Sequence, residues 1–217
     1  MSFRGRGPLA AIVLVAAVAF VLLIVPAMLV YPGGTWMDPS TRGHDFWLNF
    51  FCDLLHSHGL NGQPNVVGAR FATAAMLVLV VGFWPFWIVN ASLVKRPLAT
   101  PIRVAGTMSV LGLIAVPLTP SDRFGAIHGV AVLLAAVPGL VAAACATAGL
   151  ASQRATRAIG ALGAATLVTA AIDSYLYARH MASGGAVTPH ALPALQKVAA
   201  LFLLAWMVGV AWRARRE

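Results

Sequence analysis

The feature that most constrains this chain is a series of six apolar runs separated by short polar segments. The runs cover about residues 9–30, 70–94, 104–118, 120–151, 158–177 and 193–212. A helix rises about 1.5 Å per residue, so about 20 residues cross roughly 30 Å of hydrocarbon. The 217 residues are 60% hydrophobic and only 10% charged, which is unlike a soluble domain. We therefore predict one all-α integral membrane domain over residues 1–217, with six transmembrane helices.

The first apolar run could also be read as a secretory signal, because Arg4 and Arg6 precede it. The run from Leu9 to Val30 is longer than the apolar region of most signal peptides, and no cleavage site with small residues precedes Tyr31. We therefore interpret this run as the first span.

The basic residues are distributed unequally between the two sides of the predicted bundle. Five lie on one side and ten on the other: Arg4, Arg6, Lys95, Arg96, Arg103, Arg154, Arg157, Arg213, Arg215 and Arg216. By the positive-inside rule, this bias predicts a multi-pass protein of the cell membrane with both termini in the cytoplasm. The net charge of +9 is thus a topology signal, and no nucleic-acid motif accompanies it. Membrane lipid is the expected partner.

The two cysteines give no sign of a disulfide or of a cysteine metal site. Cys52 lies in a segment outside the spans, and Cys145 lies within the fourth apolar run. Their separation makes an internal disulfide improbable, and neither belongs to a metal-binding cysteine spacing.

The longest polar segment, residues 31–65, separates the first two spans. Within it, residues 46–55 predict a short interfacial helix on the outer membrane surface, with Asp45 as its N-cap. Offsets of three, four and seven residues place four polar side chains on one face of that helix. These side chains are Asn49, Cys52, Asp53 and His56. We expect this face to point into the bundle, so that the segment covers it as a lid.

Ionisable residues concentrate on the same side as residues 31–65. The outer loops and outer halves of the spans contain all the histidines and aspartates: His44, His56, His58, His128, His180, His190, Asp38, Asp45, Asp53, Asp122 and Asp173. At membrane depth, the sequence places His128 in the fourth span, Asp173 in the fifth and Lys197 in the sixth, while Arg70 opens the second. Buried ionisable groups at such depth indicate a functional site. We predict one outward-facing polar pocket beneath the lid.

The first hypothesis for this pocket is a metal-dependent hydrolase or another lipid-modifying enzyme. His56 and His128 would bind a divalent metal such as zinc, with Asp53 or Asp173 as catalytic groups or further ligands. A bound metal acidifies water, which could then attack an ester or amide. The polar side chains expected to bind the substrate are Asn49, Arg70 and Lys197.

The second hypothesis is a non-enzymatic protein that binds a lipid or small molecule, or an accessory membrane subunit. In that case Asp173 would form a structural ion pair with Lys197 or Arg70, and His128 would be a hydrogen-bonded core residue. Asp122 would complete a capping box that begins at Thr119. A transporter is disfavoured, because no inverted repeat is evident and the polar residues do not continue to the inner side.

The first 90 residues resemble an uncharacterised family of small bacterial membrane proteins with six or seven spans, which is itself similar to the DRAM/Sfk-like families. The resemblance lies in Tyr31-Pro32-Gly33-Gly34, in Asn49 with Asp53-Leu54, and in Asn61 and Asn65. Those families commonly have Ser before the Asp and Gly two residues after it, where this chain has Cys52 and Leu55. The resemblance implies a polytopic fold and no particular activity.

A second resemblance concerns chemistry and not motif order. The residue types on the outer side are similar to those of the ceramidase and progestin-receptor-like superfamily of membrane hydrolases. That superfamily combines Asp, Ser and three His around zinc. In this chain, the serine would be Ser121 or Ser174. This resemblance implies zinc-dependent amide or ester hydrolysis.

Overall fold

A computed structural model describes residues 6–184 and 190–216, which form seven α-helices and no β-strand. Six of the helices are long: α1 (Arg6–Leu29), α2 (Val66–Leu93), α3 (Arg96–Leu118), α5 (Ala126–Ala151), α6 (Arg157–Ala182) and α7 (Leu192–Arg216). The short elements are α4 (Ser121–Phe124) and the 3-10 turns Cys52–Leu55 and Arg154–Thr156. Each long helix is long and apolar enough to cross a membrane, which confirms the six predicted helices.

The six long helices form a closed ring. Each packs against its neighbours in chain order, α1 to α2, α2 to α3, α3 to α5, α5 to α6 and α6 to α7, and α7 closes the ring on α1. Small residues permit close approach at two of these contacts. A side chain at Gly82 would meet Cβ of Ala16, and one at Gly112 would meet the backbone of Ala135. Membrane helices associate mainly through such packing.

An aromatic cluster fills the inner half of the ring, toward the N-terminus of α1. The rings of Phe86 and Trp206 meet edge to face at 5.0 Å between centroids, and Trp87 lies 6.0 Å from Trp206. All three side chains are at most 3% exposed. The cluster therefore joins α2 to α7 across the ring.

The fourth predicted span, which was expected to begin near residue 120, begins instead at Ala126. Gly125 adopts φ of +52°, a left-handed conformation that ends α4 and allows the chain to start a new helix. The predicted capping box is absent, because Thr119 donates its hydroxyl hydrogen bond to the carbonyl of Ala115. His128 is consequently the third residue of α5 and lies nearer the outer end than the sequence suggested.

The interfacial helix predicted over residues 46–55 is present only as the 3-10 turn Cys52–Leu55, preceded by a separate turn. Asp45 does act as the predicted cap, because its Oδ1 accepts hydrogen bonds from the N–H groups of Trp47 and Leu48. The N–H groups of Phe50 and Phe51, however, bond to side-chain oxygens instead of preceding carbonyls. A continuous α-helix cannot form without those backbone bonds.

Candidate functional site

Residues 31–65, called the outer segment below, form a compact cap of turns over one end of the ring. Gly33 and Gly34 have φ of +130° and +86°, and any Cβ there would collide with the backbone near Thr41 or Asn61. The close approach lets Gly34 donate its N–H to the carbonyl of Thr41 at 2.8 Å, and lets Asn61 donate to Gly33 at 3.1 Å. These two glycines thereby fold the segment back on itself.

Asp53 is the centre of a hydrogen-bond network inside the outer segment. Its carboxylate accepts from the indole N–H of Trp36 at 3.1 Å, the N–H of Phe50 at 2.8 Å and the amide of Asn49 at 3.2 Å. Burial raises the pKa of Asp53, while these hydrogen bonds and the nearby His56 act in the opposite direction. The hydrogen bonds occupy both carboxylate oxygens, which makes Asp53 a structural group more than a free catalytic one.

Three of the four side chains of the predicted polar stripe point into the protein, and the fourth, Cys52, is half-buried. Asn49, Asp53 and His56 are all at most 4% exposed. Asn49 also donates to the carbonyl of Gly34 at 2.8 Å and accepts from the N–H of Asp45 at 2.9 Å, so its side chain is fully engaged. The prediction that this face turns inward is therefore correct, although the backbone beneath it is not an α-helix.

The first turns of α7 hold the outer segment from below. Lys197 is fully buried and donates to the backbone carbonyl of Asn49 and, at 3.4 Å, to that of Pro193. Its ammonium also lies 5.1 Å from the ring centroid of Phe51, within cation–π range. Gln196 accepts a hydrogen bond from the N–H of Phe51 at 2.8 Å. Lys197 therefore binds the protein's own backbone.

The loop around α4 holds the outer segment from the side. Nε2 of His56 lies 2.7 Å from Oγ of Ser121, and Oδ2 of Asp122 accepts from both the N–H and the hydroxyl of Ser57 at 2.9 Å. Burial alone would raise the pKa of Asp122, but the two hydrogen bonds from Ser57 bring it below its usual range. Asp122 was predicted as a capping residue and instead joins the two loops.

An open depression of about 750 Å³, called the outer cleft below, lies between the outer segment, α4 and the end of α6. It includes His56, Ser121, Asp122, Arg123 and His180. This depression corresponds to part of the predicted outward-facing pocket. It does not include Asp53, Asp173 or Lys197.

A second space, called the central cavity below, lies inside the helix ring and has a volume of about 280 Å³. Its walls are apolar along most of its length, from Trp87 and Trp206 up to Phe51 of the outer segment. The polar side chains that line it are Cys52, Ser109, Thr166, Asp173, Ser174 and Gln196. The sequence prediction of one polar pocket is thus replaced by two spaces of different character.

Asp173 faces the central cavity without the predicted ion pair. Its Oδ1 is buried and has no hydrogen-bond partner. Lys197 donates its hydrogen bonds elsewhere, and Arg70 is exposed on α2. Asp173 is half-buried, and its Oδ1 is therefore a buried acceptor atom that the described residues leave unused.

The two predicted metal ligands lie in the same region but have other partners. Nδ1 of His128 lies 2.8 Å from the carbonyl oxygen of Thr119, its Nε2 is buried without a partner, and His56 contacts Ser121. Within residues 6–184 and 190–216, no three His, Cys, Asp or Glu side chains are grouped as a metal site requires. The zinc site stays a prediction that this geometry does not favour.

The Cys52 thiol and the Tyr31 phenol of the outer segment are chemically quiet near neutral pH. Burial raises the pKa of the Cys52 thiol to about 12, and it raises the pKa of Tyr31 to about 12 as well. The thiolate is the reactive form of cysteine, so Cys52 is not a nucleophile under ordinary conditions. Tyr31 instead accepts a hydrogen bond from the N–H of Leu60 at 3.1 Å.

Sequence reasoning missed the central cavity and the place of Trp36. The cavity could have been suspected from α5, where Ala135, Gly139 and Ala143 recur at intervals of four residues and line one wall. The bond between Trp36 and Asp53 had no comparable signal, because a turn of irregular backbone brings them together.

Comparison of the chain with protein-family models, curated proteins and solved structures gives no match. The two resemblances to known families therefore stay predictions.

Proposed function

We propose that the central cavity of this protein binds an amphiphilic molecule within the membrane. The apolar part of the ligand occupies the central cavity, and a hydrogen-bond donor in its head group faces Asp173. The observation that carries this proposal is the buried, unpartnered Oδ1 of Asp173 beside an apolar space inside the ring. A polar group at membrane depth is costly unless it is paired, so a ligand donor would relieve that cost.

The size of the central cavity limits the ligand. Small-molecule sites usually measure about 300–1,000 Å³, and the cavity of about 280 Å³ lies at the lower end of this range. It therefore suits one alkyl chain or a compact ring system, and it is too small for a whole phospholipid. Its apolar walls favour a ligand that partitions into the bilayer.

The arrangement of charge favours a neutral donor such as a hydroxyl or amide. Lys197 lies close enough to influence Asp173 electrostatically, although its hydrogen bonds go to backbone carbonyls. A cationic head group would approach that ammonium, and like charges in a low-dielectric site repel. An alcohol or amide can donate to Asp173 without this repulsion.

The binding proposal can be tested by photocrosslinking in nanodiscs. A fatty alcohol that carries a diazirine should form an adduct with cavity residues, detected by mass spectrometry and suppressed by excess unlabelled alcohol. The methyl ether of the same alcohol lacks the donor and should compete less well. In Asp173→Leu, this difference between alcohol and ether should disappear.

A matched pair of variants on α5 provides the control. Ala136 lines the central cavity, whereas Ala144 is exposed on the outside of the same helix. Ala136→Phe should fill the space and remove the saturable adduct, and Ala144→Phe should keep it. Equal crosslinking of both variants would show that the alcohol binds outside the cavity and would refute the proposal.

We also propose the orientation that the Lys/Arg bias predicts, with both termini in the cytoplasm. The test is labelling of single cysteines in intact cells by a membrane-impermeant maleimide, in a background with Cys52→Ala and Cys145→Ala. A cysteine at Gly62 in the outer segment should react from outside, and one at Lys95 should not. The reverse pattern would place the outer segment in the cytoplasm.

A further inference from the structure

The outer cleft contains a contact that the binding proposal does not use. Oγ of Ser121 lies 2.7 Å from Nε2 of His56, and both residues line the cleft. A serine hydroxyl within hydrogen-bond reach of an imidazole nitrogen is the arrangement that activates serine as a nucleophile. Sixty-five residues separate the two in the chain, so tertiary packing alone creates the pair.

We propose that Ser121 and His56 form a nucleophile and general-base pair that hydrolyses carboxylic esters entering the outer cleft from the aqueous side. This site is separate from the central cavity, and its chemistry needs no metal ligand. The cleft of about 750 Å³ has room for a small acyl group and its leaving alcohol.

The backbone around His56 is held firmly by its neighbours. Its N–H donates to the carbonyl of Asp53 at 3.2 Å, its carbonyl accepts from the amide of Asn65 at 3.0 Å, and the residue is 4% exposed. A fixed imidazole keeps Nε2 directed at the serine. In the tautomer with the proton on Nδ1, Nε2 is free to accept the serine proton.

Asp53 bonds to His56 through its backbone carbonyl, and no hydrogen bond of the described residues joins its carboxylate to the imidazole. Its carboxylate oxygens accept from Trp36, Asn49 and Phe50, as described above, yet it lies close enough for an electrostatic interaction with His56. Ser121 and His56 therefore form a dyad.

The other serine of the cleft that contacts a histidine provides an internal contrast. Ser57 Oγ lies 3.1 Å from Nδ1 of His58, but its hydroxyl donates to the Asp122 carboxylate at 2.9 Å. A serine hydroxyl has one proton, so the bond to Asp122 leaves none for His58 to remove. Ser121 has no competing acceptor among its hydrogen bonds in the described chain.

The start of α5 and a nearby cation lie on the same cleft. Gly125 and Ala126 line it where α5 begins. The N–H of Gly125 donates to the carbonyl of Ser121 at 2.9 Å, which leaves the N–H of Ala126 as one of the first N–H groups of α5 that have no intrahelical acceptor. Such groups can stabilise the oxyanion of a tetrahedral intermediate. Arg123 is exposed at the cleft and adds a positive charge there.

The reaction consumes only the ester and water. His56 removes the proton from Ser121 as Oγ attacks the ester carbonyl, and the collapsing intermediate expels the alkoxide, which takes that proton from His56. The products are the acylated Ser121 and a free alcohol. Water then attacks the acyl group with His56 again as base, which releases the carboxylic acid and restores the serine.

The test uses the full-length protein in nanodiscs, with a fluorophosphonate probe and p-nitrophenyl butyrate as substrate. Mass spectrometry should locate the phosphonate on Ser121. Ser121→Ala should remove both labelling and hydrolysis, and His56→Gln should slow both by about 100-fold or more. Ser57→Ala should leave both rates within about two-fold of wild type, because Ser57 has no part in the step.

The same experiments can overturn the proposal. Thermal melting of each variant identifies those that are folded. If folded wild-type protein is not labelled, or if the label appears on Ser57, Ser121 is not the nucleophile. If folded His56→Gln reacts as fast as wild type, His56 is not the base and the contact only joins the two loops. These outcomes do not depend on whether the central cavity binds an alcohol.

Discussion

The outer and inner ends of the helix ring are stabilised in different ways. At the outer end, a segment with little regular structure is held by directed hydrogen bonds to Asp53, Asp122 and the backbone at Asn49. At the inner end, Phe86, Trp87 and Trp206 pack by shape. The contrast implies that the outer end is sensitive to the identity of single atoms, whereas the inner end is sensitive to volume.

The largest effect should follow the loss of volume at the inner end. Trp206→Ala would remove a fully buried ring that contacts Phe86 and Trp87, and large-to-small core changes of this kind cost about 3–5 kcal/mol. Unfolding by SDS in mixed micelles measures the change. Trp212→Ala is the control, because Trp212 is 54% exposed and should change stability much less. Equal losses would contradict packing as the source of inner-end stability.

A change of atoms at constant volume should destabilise the outer end. In Asp53→Asn, one oxygen becomes an NH₂ group that cannot accept from Trp36 or Phe50, so a donor loses its partner. We expect a loss of about 2 kcal/mol in the same assay. Met207→Leu at the fully buried inner end preserves volume and should cost under about 1.5 kcal/mol. A larger loss of stability in Met207→Leu than in Asp53→Asn would contradict this difference between the two ends.

A smaller effect should depend on pH. Burial lowers the pKa of His44 from 6.5 to about 4, and the positive charge of Lys197 acts in the same direction. As pH falls, His44 therefore binds a proton in the unfolded chain before it does so in the folded protein. The free energy of unfolding that depends on His44 is thus highest above pH 6.5 and decreases as pH falls toward 4. The melting temperature of His44→Phe should fall less than that of wild type between pH 7 and 4.5. An equal decrease in the melting temperatures of both proteins would show that His44 does not cause the pH dependence.

The smallest effect should come from the exposed contact between Ser57 and Asp122. Both residues lie near water, so Ser57→Ala should lower stability by less than about 1 kcal/mol. Hydrogen exchange of the amide of Ser57 is the more sensitive measurement, because its N–H donates to Asp122. Asp122→Ala should speed that exchange, and unchanged exchange would show that the contact is weak in solution.

The two kinds of stabilisation also differ in how far they could be foreseen. The aromatic cluster follows from long apolar runs, which must become helices and must pack their large side chains together. The outer network depends on which N–H group each side chain reaches. Gln196 and Phe51, for example, are 145 residues apart, and no local pattern links them.

The candidate site was anticipated in part. The inward direction of Asn49, Asp53 and His56 was correct, although turns and not a continuous helix carry them, and hydrogen bonds to Gly34, Trp36 and Ser121 hold their side chains. The ion pair expected between Asp173 and Lys197 or Arg70 was not found among the described residues, although Lys197 lies near Asp173. Depth along a span fixes the height of a residue, whereas the rotation and packing of its helix decide the direction in which it faces.

The sequence by itself determined the all-helical class, the six helices long and apolar enough to cross a membrane, and the end at which polar groups collect. These properties follow from local rules, since a long apolar run satisfies its own backbone hydrogen bonds as a helix. Only the tertiary structure divided the polar groups between the outer cleft and the central cavity, and only it joined Ser121 to His56. Such pairings depend on how six helices and one irregular segment pack together, which is a collective property of the whole chain.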